Sequence, residues 1–576
     1  MSGVDPTAHL LGQPDGIEHA MRDFLAAPPG VVQHAAGEAA AIDVVASILA
    51  AQHRRSGSAV RDAAACDILR QAITRTQLVR RPSRQGTFSR YQWLWYLRRA
   101  PNTAFVGGVA STLPYARAVT EALAVATTPP AVLHRVAGPE GHFPLTRDAL
   151  DAVAWLIGYS RVVVQLHSTY RRCAKGSTLI LDAERLRAGQ NLDSCDDATR
   201  QAVRTYDLRL DHHGPETVFA ADVVAFGARG FGVPDGDLLG FAHTDTMQCS
   251  QVLPGPRGPW VCRYLPQRLT TTALEALLDD ARLRAPGLWK VDAVDPIAML
   301  ALGAVVTRGA TENLVTVMAA GYALIHVDVL REEWAAPYAT EIAALRHRFP
   351  AWADLFESDL LAFLRRCMAS PARIWPLGGI PLAFQATPDH IGIDLAAATR
   401  QFLSTVRFPA KEGDVPNARS HTLETQVQAR IDASAWRPPP ALRALRGRKL
   451  KLGGRVIGEI DALGVRDGIA LLVSCKSIAY TDAHERGDYG SVTSATKKIL
   501  TAQSESEALL GQLRATPAGG NYDFSGVSAL HGVVVTPHVF YVPSPHVDAM
   551  TLPGLRAYAT VAELQQWLDR RAMEAP

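Results

Sequence analysis

Gly458-Glu459-Ile460-Asp461-Ala462-Leu463-Gly464, followed by Asp467-Gly468 and then Ala470-Leu471-Leu472-Val473-Ser474-Cys475-Lys476-Ser477, is the most informative run in this chain. Asp-Gly is a strong signal for a two-residue hairpin loop, because both central residues tolerate positive φ. With Asp467 and Gly468 as the loop, Arg466 pairs with Ile469, and counting back places Asp461 opposite Ser474 and Glu459 opposite Lys476. Side chains alternate along a strand, so these four share one face, while Ile460, Ala462, Val473 and Cys475 are expected on the other. Opposed residues stand roughly 5 Å apart at Cβ, close enough for a carboxylate, a lysine and a cation to act on one phosphate.

The segments around the hairpin extend the pattern. An amphipathic stretch with Leu423, Val427 and Ile431 carries Glu424 and precedes it; a helix is expected from about Ser491 to Leu513, then the apolar strand His531 to Thr536. In this order the residues resemble the PD-(D/E)XK, or restriction-endonuclease-like, nuclease superfamily. Asp461 matches that family's first acid and Lys476 its lysine, whereas Ser474 stands where the acid of the acid-x-lysine motif belongs. The resemblance covers the last quarter to third of the chain. It implies Mg²⁺ (or Mn²⁺) held by Asp461 and the Cys475 backbone carbonyl, with Lys476 orienting water or stabilising transition-state charge. Glu459 and Glu424 are the candidates to replace the carboxylate missing at Ser474, and Gln503 is a weaker candidate for substrate or water contacts.

The remaining composition bounds this reading. The 576 residues suggest two to four domains at one per ~150 residues. A hydrophobic share of 48% with 20% charged residues is that of a folded protein, and a net charge of +3 leaves any nucleic-acid surface to be local. Seven cysteines without a CxxC pair read as reduced thiols. The first residues lack a basic start followed by an apolar run, and the most apolar stretch, 297–325, is interrupted by Arg308, Glu312 and Asn313, so a cytoplasmic protein without a membrane partner is expected.

The fold expected is multidomain: a mainly α-helical N-terminal region over 1–408, in one or two subdomains, a Pro/Gly-bearing linker at 409–420, and an α/β restriction-endonuclease-like domain over 421–576. Helical spacing recurs at 40–53, 58–79, 146–157, 271–284, 293–307, 311–329, 334–348 and 356–369. Strand-like runs fall at 160–166, 177–181, 259–264 and 380–386. No Walker A loop, HExxH helix or GxSxG elbow is present.

Two basic stretches are candidates for nucleic-acid contact. In the first, Arg80, Arg81, Arg84 and Arg90 interleave with Phe88, Tyr91, Trp93, Trp95 and Tyr96, a pattern that suits a buried aromatic helix ringed by arginines at least as well. The second, with Arg446, Arg448 and Lys449, lies just before the hairpin. The expected function is metal-dependent cleavage of nucleic acid, DNA foremost, in the manner of a prokaryotic restriction or anti-phage effector, with the N-terminal region binding another protein or a second copy of the chain. The alternative is a degenerate nuclease fold that binds nucleic acid or serves assembly.

Overall fold

The computed structural model describes residues 14–52, 57–77, 88–105, 113–126, 143–213, 237–243, 252–255, 258–261, 263–270, 290–309, 311–369, 381–407 and 415–573. The chain combines a predominantly helical N-terminal part with a mixed α/β C-terminal part. Three bodies of packed apolar side chains organise it: one built mainly from residues 21–206, one from 238–402, and a two-sided sheet core after 423.

In the first body, helices α1 (Pro28–Ala50), α2 (Arg90–Leu97), α3 (Leu113–Ala126), α4 (Arg147–Cys173) and α5 (Asp197–His213) dominate. Helices α1 and α4 cross at Gly37 and Gly158. A Cβ on Gly37 would lie 2.0 Å from the Trp155 carbonyl oxygen, and one on Gly158 would lie 2.0 Å from that of His34. Both helices are long and apolar enough to cross a bilayer by length and composition; α4 is 72% buried within the fold over that window and α1 only 22%. Residues 160–166, expected as a strand, belong to α4: a short run such as Val162-Val163-Val164 reads alike in either state, and the helix length decides it.

The second body centres on α6 (Lys290–Gly309) and a sheet ordered β1 (Tyr322–His326), β3 (His390–Asp394), β2 (Ala383–Thr387). The expected helix 311–329 therefore ends at Ala320, where Gly321, at φ +75°, turns the chain into β1. Residues 271–284 lie outside the described residues. The two bodies are joined by an ion network with Arg98 at its centre. Its fully buried guanidinium donates to both carboxylate oxygens of Asp394 (3.1 and 2.6 Å), both of Glu121 (3.3 and 3.2 Å) and the Ala320 carbonyl (2.9 Å). Burial alone would push the Glu121 carboxyl up, but Arg98 and then Arg400 hold it down to about 2.

The C-terminal body begins at α7 (Val415–Asp432), so residues 415–420 of the expected linker form the first turns of a helix; 408–414 lie outside the described residues. Then follow the hairpin β4 (Lys449–Leu452) and β5 (Arg455–Glu459), strands β6 (Ala462–Arg466) and β7 (Ile469–Cys475), helix α8 (Tyr489–Ala515), β8 (Ala529–Thr536), β9 (Tyr558–Thr560) and α9 (Val561–Met573). The main sheet is ordered β6-β7-β8-β9, antiparallel at its first pair and parallel at the other two. Asp467 and Gly468 have φ of +50° and +75°, the doubly positive turn that the sequence requires.

Each face of this sheet is covered. Leu423, Val427 and Ile431 of α7 and Leu564, Trp567 and Leu568 of α9 pack on Ala462, Leu471, Val473, Cys475, Val533 and Val535. Leu509, Leu510 and Leu513 of α8 pack on Leu463, Ala470, Leu472 and Leu530. The unbroken Val533-Val534-Val535 run is that of a strand buried on both sides. This body also docks on the first one: Val492, Val539, Tyr541 and Val547 belong to the same apolar core as α4 and α5. Arg209 of α5 forms a fork on Glu563, both bonds 2.8 Å.

Candidate functional site

The β6–β7 register runs from Arg466↔Ile469 to Ala462↔Val473, as expected from the turn, and stops there. Beyond it the chain departs from a continued ladder. Asp461 leaves the strand, and its Oδ2 accepts the Cys475 backbone N–H at 2.6 Å, so a side chain takes the place of the next backbone partner. Past that break Glu459 belongs to the separate β4–β5 pair, opposite Lys449 and not Lys476, and Ile460 packs with Leu463 and Leu472 instead of with Ala462 and Val473. The cause is local: the kink at Asp461 resets the alternation of faces.

Despite that kink, Glu459, Asp461, Ser474 and Lys476 line one cleft of about 520 Å³. Its apolar wall is made by Val456, Leu472, Val473 and Leu509, and its far side by Glu505 and Ser506 of α8. Glu505 is the functional candidate that sequence reasoning missed. Its only linear signal was its place two residues after Gln503, on a helix whose rotation about its axis is set by packing. Gln503 itself is buried under α8 and is not among the residues lining the cleft; its Oε1 has no hydrogen-bond partner among the described residues.

Glu424, on α7, is not among the residues lining the cleft but lies near enough to Asp461 for the two carboxylates to perturb one another. One turn further along, the buried Gln428 clamps that helix to the edge of the sheet: its amide nitrogen donates to the Leu463 carbonyl (3.1 Å) and its oxygen accepts the Leu463 N–H (2.9 Å). Arg446 reinforces the clamp, donating to the Asp461 carbonyl (3.2 Å) and to Thr425 Oγ1 (3.1 Å). Arg446, expected to meet nucleic acid, thus holds Asp461 and α7 together. Arg448 and Lys449 are exposed, on and beside β4, and Asn521 braces this hairpin through Lys451 N–H (2.8 Å) and the Lys449 carbonyl (2.9 Å).

The acids act on one another's ionisation. Burial first, and then Glu459, raise the Asp461 carboxyl above the usual range against the pull of the Cys475 N–H and Lys476. Burial and then Asp461 raise Glu424. Like charges this near one another disfavour ionisation of both, and a bound cation removes that penalty. The donor set is oxygen only, which fits a hard divalent ion. The Cys475 thiol is buried on the opposite face of the sheet, where burial pushes it far up, which leaves the residue only its backbone for this site. Among the described residues, no group of three or more His, Cys, Asp or Glu side chains is gathered in cation-holding geometry.

Of the arginine-aromatic segment, Arg80, Arg81 and Arg84 lie outside the described residues. Arg90 is half-buried at the start of α2 with its Nε out of solvent, and Tyr91, Trp93, Trp95 and Tyr96 are core residues rather than a stacking surface. The packing alternative therefore accounts for this segment wherever it is described. Comparison of the chain with protein-family models, with curated proteins and with solved structures returned no match.

Proposed function

We propose that the C-terminal body is a metal-dependent nuclease of the restriction-endonuclease-like kind, hydrolysing phosphodiester bonds of nucleic acid, with DNA as the expected substrate. The observation that carries the proposal is the shared cleft: Asp461 and Lys476 open onto it together with Glu459, at the end of a sheet whose order and covering helices suit such a fold. Asp461, Glu459 and Glu424 are the residues to hold Mg²⁺ or Mn²⁺, with Glu505 as the further carboxylate facing the cleft. Such an ion would neutralise charge on the phosphate oxygens and acidify the attacking water.

The chain's own groups do the rest. The Cys475 N–H fixes the rotamer of Asp461. Lys476 is set by its backbone N–H, which bonds the Val535 carbonyl at 2.8 Å, and its ammonium stabilises charge as it develops on the phosphate. The exposed Arg448, Lys449, Lys451 and Arg455 form a basic ribbon beside the cleft that suits a polyanionic backbone. A second reading, a fold that binds nucleic acid without cutting it, is favoured by Ser474 and by the lack of a gathered ligand triad among the described residues.

Incubation of the full chain with plasmid, linear and single-stranded DNA and with RNA, with Mg²⁺ or Mn²⁺, decides between them. Metal-dependent cleavage that disappears in Lys476→Ala is expected. Cleavage that persists in this variant, or retained binding with no cleavage in any metal, overturns the proposal.

A further inference from the structure

The last turn of α4 carries two neighbouring arginines that serve different bodies. Arg172 stays within the first body, its guanidinium forking onto Asp193 at 2.8 and 2.6 Å. Arg171 turns to the C-terminal body, where its Nη2 stands 3.8 Å from Glu485 Oε1. The two side chains are only 32% and 15% exposed, so solvent screens this pair less than a surface one. Glu485 ends the short helix Asp482–Glu485, and its other oxygen, Oε2, accepts the Tyr480 hydroxyl. One carboxylate therefore joins a cation of the first body to a residue four positions after Lys476. Burial works against the Arg171 charge, yet Glu485, and after it Tyr115, Tyr480 and Tyr206, hold its pKa above the ordinary arginine value. Lys175, buried with its ammonium 3.5 Å from Asp207 and 3.9 Å from the Tyr206 ring centre, is a second cation that Glu485 offsets.

The two surfaces also meet at close range along the backbone. Gly487, at φ +78°, follows the short helix, and a Cβ there would lie 2.8 Å from the Arg171 Cα, so conformation and clearance both demand glycine. Tyr480 itself is buried, packed beside His484, His538 and Phe540. The stretch from Lys476 to Tyr480 is thus pinned at both ends. At its start the Lys476 N–H bonds the Val535 carbonyl at 2.8 Å, and the Ser477 and Ser420 hydroxyls meet at 2.7 Å. At its end stands Tyr480, with Glu485 and then Arg171. Strand β7 ends at Cys475, so the direction in which the Lys476 side chain enters the cleft depends on how the chain beyond the strand is held.

We infer that Arg171 and Glu485 are positioning residues for Lys476: the first body completes the cleft from outside it by fixing, through Tyr480, the chain that carries the cleft's lysine. The inference rests on the nuclease reading for what Lys476 does. The helical body thereby takes part in the chemistry without touching substrate. A cation that must meet charge developing on a phosphate is sensitive to placement, and a displacement of about 1 Å costs up to about a hundredfold in rate. Substrate binding has a separate support, because the hairpin that bears the basic ribbon is braced by Asn521 and not by this interface. Loosening the Arg171–Glu485 contact should therefore lower turnover and spare binding.

The test compares the full chain with Arg171→Met, Arg171→Lys and Glu485→Gln, the last of which keeps an acceptor for the Tyr480 hydroxyl, loses only the charge, and decides the matter should Arg171→Met fail to fold. Hydrogen exchange is read first, without metal or substrate. The amides of residues 476–481 should exchange about tenfold faster in Arg171→Met and Glu485→Gln than in wild type, with those of β8 unchanged and Arg171→Lys close to wild type. In cleavage assays kcat should fall about ten- to a hundredfold in the first two variants with KM unmoved, and Arg171→Lys should restore most of it. Exchange at 476–481 equal to wild type, an equal acceleration in β8, or a loss confined to KM overturns the inference. A wild type that cuts nothing removes the nuclease reading alone, and exchange still decides whether the first body fixes the chain at Lys476.

Discussion

Asp461→Asn isolates the cost of keeping a carboxylate in the cleft. The structure sets two opposing terms. Asparagine retains an oxygen to accept the Cys475 N–H, now 2.6 Å from Asp461 Oδ2, but exchanges a charged acceptor for a neutral one, a loss of about 1 kcal/mol. Against it, the variant no longer buries a charge: burial first and then Glu459 raise Asp461 in the folded state, and burial first and then Asp461 raise Glu424; each pKa unit so removed is worth about 1.4 kcal/mol. The two oppose one another, so Asp461→Asn should melt closer to wild type than Asp461→Ala does when no metal is added. Asp461→Ala leaves the N–H unpaired and should cost about 1–3 kcal/mol. For a cooperative unit of roughly 150–250 residues each kcal/mol is about 2–4 °C. Added Mg²⁺ at about a hundred times its Kd stabilises wild type by about 2.7 kcal/mol and should leave both variants nearly unmoved. The pH dependence has a fixed sign. A carboxyl whose folded pKa is raised destabilises fully above that value and less as pH falls toward the ordinary carboxylate range, so wild type should gain on Asp461→Asn as pH is lowered through that window. Thermal unfolding of the three proteins with and without Mg²⁺, at several pH values, gives every term. Equal destabilisation by Asn and Ala, or an equal Mg²⁺ response in wild type and Asp461→Asn, would show this balance of terms to be wrong.

Further outcomes follow from the same geometry. Ser474→Asp places a carboxylate in the cleft beside Asp461, and calorimetry should show Mg²⁺ affinity about tenfold higher, near 1.4 kcal/mol; an unchanged titration would mean that this position does not reach the ion. Replacing Arg448, Lys449, Lys451 and Arg455 by serine should weaken nucleic-acid binding and flatten its log–log salt slope by about 0.9 for each phosphate no longer neutralised, and an unaltered slope would remove the ribbon from the binding surface. Arg98→Met leaves Asp394 and Glu121 buried without their main partner and should cost about 3–5 kcal/mol, seen as early proteolysis between the first two bodies; wild-type resistance would show the network to be dispensable.

The local features of the C-terminal body were legible in the sequence. Asp467-Gly468 dictates a two-residue turn because its φ values are nearly unique to such residues, and the turn sets the register as far as Ala462↔Val473. Leu463 and Leu472 alternate with Ala462 and Val473 along the strands, and only the folded sheet shows that both faces are covered. What the alternation could not foretell is the kink at Asp461, because a side chain capping a backbone N–H looks no different in sequence from a strand residue. The kink moves Glu459 into another hairpin, yet the folded chain returns it to the same cleft. The placement of Glu505, the clamp of Gln428 on Leu463 and the arrest of Arg446 between Thr425 and Asp461 each depend on which face of a helix meets the sheet, a choice made by packing across many residues of chain. Likewise, the arginine-aromatic run was open to two readings until the burial of Tyr91, Trp93 and Trp95 gave it to the core. Turns, periodicities and the chemical types available to the site are properties of residues in order along the chain. Which of those residues meet is settled in three dimensions, because side chains distant in sequence converge only when the apolar faces have found their partners.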